Sequence, residues 1–223
     1  MRGQVEEFKR HFTGDKKLSD WTGRDSLHAV FFGINDVALC FINMRLPFHK
    51  LLDSMMTVYM ERLEMMYDTG ARQFLILTVP PTERAPLIVY HYNVATFIAA
   101  IKAWNGALET RLLAFAARHD DVVVRVYDTA KLFDHVLDNH EVYGFPEENT
   151  YWCPAYGNSP GPPELDLKTQ CRQAVANLAW HDAYHPTWPV HKALGEDIYK
   201  ALSGGDAVSV VRNPRDPSSY VAA

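Results

Sequence analysis

The chain alternates short apolar runs with long segments of helical periodicity. Three apolar runs stand out, namely "SLHAVFFG" (26–33), "QFLILTVPP" (73–81) and "DVVVRVYD" (121–128). Continuous apolar runs of this length are typical of buried strands, and the first, which ends at a glycine, is typical of a strand covered on both faces. The pattern therefore predicts three strands, with prolines stopping the second.

The longer segments carry apolar residues at helical spacing. They are residues 48–68, 92–119, 129–139 and 189–202. Gly70 lies where a left-handed residue would end the first helix, Thr129 is the predicted cap of the third, and Pro189 suits the first turn of the last. Strands separated by such helices favour crossover connections and a parallel sheet, so the predicted fold class is α/β.

Length and composition indicate one folded domain. The 223 residues are 48% hydrophobic and 12% aromatic, which suffices for one sizeable core, and the sequence contains no internal repeat and no interdomain linker. The last segment, "GGDAVSVVRNPRDPSSYVAA", lacks periodicity. The sequence therefore predicts a single domain over 1–203 and a loosely attached tail over 204–223.

Charge and hydropathy narrow the classes of partner. The formal net charge is −5 and no run of Lys and Arg occurs, which argues against binding to nucleic acid. No segment approaches the ~20 apolar residues that span a bilayer, and the first residues are too charged for a signal peptide. Small-molecule ligands remain compatible with this composition.

The first strand ends in "GIND", at the sheet edge where function collects in α/β proteins. Gly33 would let the backbone turn sharply, and the amide of Asn35 would then face the carboxyl edge, where its NH2 could stabilise an oxyanion. Asp36 would support the turn through backbone hydrogen bonds. The alternative is that these residues form an ordinary turn.

A second concentration of polar residues is "NLAWHDAYHPTWPVHKAL" (177–194). Asp182 and His185 are three positions apart in a predicted turn, so the carboxylate could fix the imidazole tautomer while the other ring nitrogen accepts a proton. Trp180 and Trp188 could line the pair with apolar surface. The segment is thus predicted to display a general base, and the alternative is a loop that serves only to pack the core.

The same segment suggests a metal site as a minor alternative. His181 and His185 are four residues apart and His191 follows, but Pro186 opposes the helix that would align the first pair. The predicted site therefore contains no metal and needs no cofactor.

Among the three cysteines, one pair could form a disulfide. Cys153 and Cys171 flank a loop rich in Pro, Gly and Ser, which a bridge would restrain. Cys40 lies in the apolar string "VALCFINM" and is expected to be a small buried residue.

The motifs resemble those of a known family. "GIND" after a strand and "WHDAYHPT" about 150 positions later are similar to two conserved blocks of the GDSL (SGNH) esterases and lipases. Together with "LTVPPTERAP", they resemble the fungal branch named carbohydrate esterase family sixteen, over about residues 20–202. The resemblance implies a three-layer, flavodoxin-like parallel sheet and hydrolysis of acetyl or short acyl esters of carbohydrate by a Ser-His-Asp mechanism.

The resemblance also implies roles for individual residues. Asn35 matches the oxyanion Asn, His185 the base and Asp182 the residue that orients it, while related enzymes often have a paired loop where Cys153 and Cys171 fall. If the full-length relatives are secreted, the resemblance implies that this protein is extracellular.

One block of the family pattern is missing. The sequence has no Gly-Asp-Ser after its first predicted strand, and Ser26 enters that strand at the edge opposite Asn35. The resemblance therefore implies that the chain begins about two strands into the fold, leaving the first predicted strand as a bare edge, and that the nucleophilic serine is not present. The alternative is a truncated form or pseudoenzyme that at most binds ester-bearing carbohydrate.

Overall fold

The computed structural model describes residues 1–15, 17–42, 46–145, 150–157, 167–204 and 208–211. The chain divides into two compact units. The first comprises the described residues of 1–78, of 102–127 and from 208 onward; the second comprises those of 79–101 and 128–207.

The first unit contains a four-stranded sheet. Its strands are β1 (Leu27–Phe31), β2 (Gln73–Leu77), β3 (Val123–Tyr127) and β4 (Val208–Val211), in the order β1-β2-β3-β4. The first three strands are parallel, with Leu27 opposite Gln73 and Gln73 opposite Val123, whereas β4 is antiparallel to β3. The mixed α/β class and the parallel sheet predicted from the sequence are confirmed, but β4 was not predicted.

Eight helices are described. They are α1 (Arg2–Phe12), α2 (Ile34–Ile42), α3 (Phe48–Asp68), α4 (Pro86–His91), α5 (Val94–Arg118), α6 (Thr129–Asp138), α7 (Pro154–Gly157) and α8 (Trp188–Leu202), with 3₁₀ turns at Thr82–Arg84 and Val175–Asn177. The four predicted helices correspond to α3, α5, α6 and α8. Gly70 has φ +107° after α3, as its predicted capping position requires.

One predicted cap is wrong. Asp128, not Thr129, precedes α6, and its side chain accepts a hydrogen bond from Ala130 N at 3.1 Å. Thr129 is instead the first helical residue and is fully buried. A carboxylate is as good a cap as a hydroxyl, and here the Asp128 carboxylate satisfies the free N–H group at the start of α6.

The expectation that β1 is covered on both faces is also wrong, as judged from the residues that the structure describes. Leu27 is 42% exposed and Ala29 is exposed, whereas Val30 is buried. Side chains alternate along a strand, so Leu27 and Ala29 share one face, and this face is the exposed one. β1 also lies at an edge of the described sheet, where it pairs with β2. On one face, His28 and its register partner Phe74 contact aromatic rings from α1 and α5.

The second unit is built largely from loops and helices. Arg84 bonds Asp134 Oδ1 at 2.8 Å and Asp138 Oδ1 at 2.6 Å, which ties the first 3₁₀ turn to α6. The segment after α6 has a small buried core of its own, which consists of Cys153, Tyr156, Cys171, Val175 and Leu178.

Candidate functional site

The turn over residues 182–185 forms a carboxylate–imidazole pair. His185 Nδ1–H donates to Asp182 Oδ2 at 2.8 Å. The other carboxylate oxygen, Oδ1, accepts hydrogen bonds from the backbone N–H groups of Tyr184 and His185, each at 2.7 Å. Because Nδ1 is engaged, Nε2 is the ring nitrogen left to exchange a proton.

Backbone contacts hold this turn in place. His181 N donates to His185 O at 2.8 Å, and Trp180 forms an isolated bridge with Pro186. Leu87 N donates to Ala183 O at 2.8 Å, which fixes the turn from the segment before α5. The sequence folds this way because Pro186 cannot continue a helix and disfavours helical geometry in the residue before it.

A buried threonine just after the turn links it to the residues that precede it. Thr187 is 2% exposed, and its Oγ1 donates to Leu178 O at 2.6 Å while its N–H donates to Ala179 O at 2.9 Å. Of the two tryptophans predicted to line the pair, Trp180 is buried and Trp188 is exposed at the start of α8.

The electrostatics suit a pair of base and carboxylate. Burial opposes ionisation of Asp182, but the hydrogen bonds from the His185 ring and from the N–H groups of His185 and Tyr184 outweigh it and lower its pKa to about 2. The hydrogen bond to Asp182 raises the pKa of His185 against the effect of burial. Burial, and then the charge of His185, lower the pKa of neighbouring His191.

Sequence analysis missed two polar side chains near the turn. The hydroxyls of Tyr184 and Thr82 are both buried without a hydrogen-bond partner among the described residues. Burial raises the pKa of Tyr184, and the nearby Thr82 hydroxyl lowers it by a smaller amount. The two hydroxyls nevertheless do not form a hydrogen bond of good geometry. Thr82 belongs to "LTVPPTERAP", a string that contributes to the family resemblance but in which the sequence assigned no role to Thr82.

The "GIND" residues lie in the first unit. Gly33 is buried with φ +117°, a conformation that favours glycine, and Val37 N donates to Gly33 O at 2.9 Å to open α2. Asn35 and Asp36 follow in the first turn of α2, with exposed side chains, just past the carboxyl end of β1. The roles that the resemblance gives to Asn35 and His185 require both residues at one site, and because Asp182 and His185 belong to the second unit, this requirement stays a prediction.

Ser26 lies at the other end of β1, immediately before Leu27. Its Oγ donates to Asp25 Oδ1 at 2.9 Å. Five strand residues at ~3.3 Å each separate it from the Gly33 turn. Ser26 therefore does not share the sheet edge of Asn35.

The predicted disulfide is present. Cys153 and Cys171 form a disulfide with their Cα atoms 5.7 Å apart, and Cys40 is free and buried. Within the described ranges, no group of three or more His, Cys, Asp or Glu residues is arranged to hold a metal ion. In the same part of the chain, no helix is both long and apolar enough to cross a bilayer.

Comparisons with known proteins agree with the motifs. No family model matches the chain. An acetylesterase of Thermothelomyces thermophilus is 27% identical over 204 residues, which cover 90% of this chain and 60% of that protein. A GDSL esterase/lipase of Arabidopsis thaliana is 24% identical over 218 residues (89% of this chain, 58% of the relative), and the thermolabile hemolysin of Vibrio parahaemolyticus is 21% identical over 207 (90% and 47%).

The chain thus spans about half to three fifths of the length of these curated relatives. The resemblance inferred from "GIND" and "WHDAYHPT" extends along most of the sequence. Over about nine tenths of its length, the chain is related to proteins named acetylesterase and GDSL esterase/lipase.

Proposed function

We propose that this chain carries the general-base half of a Ser-His-Asp ester hydrolase that acts on acetyl or short acyl esters of carbohydrate. The observation that carries the proposal is the 2.8 Å contact between His185 Nδ1 and Asp182 Oδ2, in a turn where the His185 side chain is exposed and Asp182 is half-buried. The nucleophilic serine is contributed from outside the 223 residues.

In this mechanism, His185 Nε2 removes the proton from the serine hydroxyl as its oxygen attacks the acyl carbonyl. The imidazolium, stabilised by Asp182, then gives that proton to the departing sugar oxygen, and an acyl-enzyme remains. Water then attacks the acyl carbonyl while the same nitrogen removes its proton. That proton passes to the serine oxygen as the acyl–serine bond breaks and the acid leaves. The family resemblance assigns stabilisation of the oxyanion to the side-chain NH2 of Asn35.

Two observations support the substrate class and the compartment. The acetylesterase relative supports a short acyl group as the group transferred. The Cys153–Cys171 disulfide favours an oxidising compartment, which agrees with an extracellular protein acting on carbohydrate.

The second candidate function is binding of ester-bearing carbohydrate without catalysis. It is favoured by the position of Ser26, which precedes β1 and is bonded to Asp25. No serine of the sequence stands in a Gly-Asp-Ser block.

The test compares hydrolysis of p-nitrophenyl acetate by two lengths of protein, each with its His185→Ala variant. The 223-residue chain should give no turnover above its variant. A form extended by the upstream genomic sequence, if that encodes a strand followed by Gly-Asp-Ser, should be active and lose roughly 10⁴-fold or more in kcat when His185 is replaced. An inactive extended form would favour the binding function, and a His185-dependent burst from the short chain would place the nucleophile within it.

A further inference from the structure

Gly157, the last residue of α7, packs directly against Asp182. A Cβ added to Gly157 would lie 3.1 Å from Asp182 Cβ and 3.8 Å from Asp182 Cα. The first distance is below the ~3.5–4.0 Å at which two carbon atoms pack favourably. Gly157 is not among the glycines with positive φ, so close approach, and not backbone conformation, requires glycine here.

The Asp182 side of this contact is fixed. The carboxylate accepts two backbone N–H groups from Tyr184 and His185 as well as the His185 ring. The next residue along the chain, Ala183, is held through its carbonyl by Leu87 N at 2.8 Å. Because these bonds hold the turn in place, an atom too close to Asp182 Cβ would change the geometry between the carboxylate and the His185 ring instead of displacing the whole turn.

The Gly157 side is fixed as well. Cys153, at the start of this segment, is bonded to Cys171. Tyr156 is 2% exposed, and its hydroxyl donates to Gln173 O at 3.0 Å and accepts from Lys168 N at 3.1 Å. Because both sides are anchored, a methyl group at position 157 could not be accommodated by a shift of α7 away from Asp182.

We propose that Gly157 is a positioning residue, and that residues 153–157 form a backstop that keeps the Asp182 carboxylate aligned with His185. The inference rests on the proposed function, because alignment matters only if His185 is the base. A base and its orienting carboxylate need to be held within about 0.5 Å of their working geometry by the residues behind them. Neither the sequence motifs nor the family resemblance points to Gly157, which lies 25 positions before Asp182.

The test compares Gly157→Ala with Gly195→Ala, since a Cβ at Gly195 in α8 would meet nothing within 4 Å. The readout is the ¹⁵N shifts of the His185 ring against pH, which report the pKa and the fraction of neutral imidazole protonated at Nδ1. We expect Gly157→Ala to lower both, while Gly195→Ala leaves both unchanged. A folded Gly157→Ala protein with wild-type His185 shifts would overturn the proposal.

If the alanine variant does not fold, the same spectra of the wild-type protein after reduction of Cys153–Cys171 decide the question. Loosening the backstop should lower the fraction protonated at Nδ1, and an unchanged fraction in the reduced, folded protein would overturn the proposal. These readouts need no turnover. Absence of an Nδ1-protonated His185 in the wild type would count against the proposed function itself, whereas insensitivity to Gly157→Ala counts against the backstop alone.

Discussion

Two histidines, one in each unit, show how surroundings decide what an imidazole can do. His28 lies on β1 with its ring centroid 5.4 Å from that of Phe8, 5.2 Å from Trp21 and 5.8 Å from Phe74. Its Nδ1 is 3.3 Å from the backbone oxygen of Gln73. His28 therefore lies among aromatic rings, and the hydrogen bonds that act on its ring come from the backbone of Gln73 and Ser26.

His185 has the opposite environment. Its ring is largely exposed, and Nδ1 is bonded to a carboxylate that is itself held by two backbone N–H groups. Burial lowers the pKa of His28, whereas the bond to Asp182 raises the pKa of His185. The surroundings of His28 thus favour its neutral form, whereas the carboxylate beside His185 favours the protonated form of that imidazole.

The largest expected effect comes from removing the packing around His28. Phe74→Ala should cost about 3–5 kcal/mol in the free energy of unfolding, because Phe74 is fully buried and its ring also lies 5.8 Å from that of Phe115. Urea unfolding measures the loss. The matched control, Leu113→Ala, removes a side chain that is 51% exposed and should cost much less. Equal losses in the two variants would mean that the aromatic cluster is not a stabilising core.

The second unit depends on a covalent link where the first depends on packing. Replacing Cys153 and Cys171 by Ser should cost about 3 kcal/mol, from the chain entropy of an 18-residue loop. Thermal melting with and without dithiothreitol measures this. The wild-type protein and a Cys40→Ala variant should both be destabilised by reduction, and the double serine variant should not respond. A wild-type melting curve unaffected by full reduction would contradict the prediction.

The third effect is smaller and separates the two histidines directly. Asp182→Asn removes the charge but keeps an oxygen for the backbone N–H groups, so it should cost only about 1 kcal/mol in stability. It should also lower the pKa of His185, because the largest cause of its raised value is lost. NMR titration of both histidines tests this, with Glu141→Gln as an exposed control. An unmoved His185 titration would show that Asp182 does not orient the ring.

The sequence predicted those parts of the molecule whose cause is local. The Asp182–His185 contact joins residues three positions apart in a turn fixed by Pro186, and Gly33 must leave β1 with positive φ. Periodicity was sufficient for α3, because buried residues recur along its 21 positions.

The sequence did not predict features that depend on distant partners. β4 is a strand because four residues of an aperiodic tail pair with β3, some 80 positions earlier. The need for glycine at position 157 arises from Asp182, which a pattern around Gly157 cannot reveal. The exposure of Leu27 likewise depends on which distant elements pack over that face of β1, which the composition of an apolar run does not reveal.

The smallest expected effect is a difference in sign between the two histidines as pH changes. The pKa of His28 is lowered from 6.5, so its contribution to stability is present above pH 6.5 and is lost as pH falls through the folded value. The pKa of His185 is raised, so its contribution is present below pH 6.5 and is lost as pH rises through the folded value. His28→Gln should therefore reduce the fall in melting temperature on acidification below pH 6.5, and His185→Gln should reduce the fall above it. Measurements between pH 5 and 8 avoid the separate loss from Asp182, which extends from about pH 4 toward its pKa of about 2. If both variants altered the same side of pH 6.5, the two imidazoles would share one kind of environment, and the distinction between a histidine packed among aromatic rings and one bonded to a carboxylate would fail.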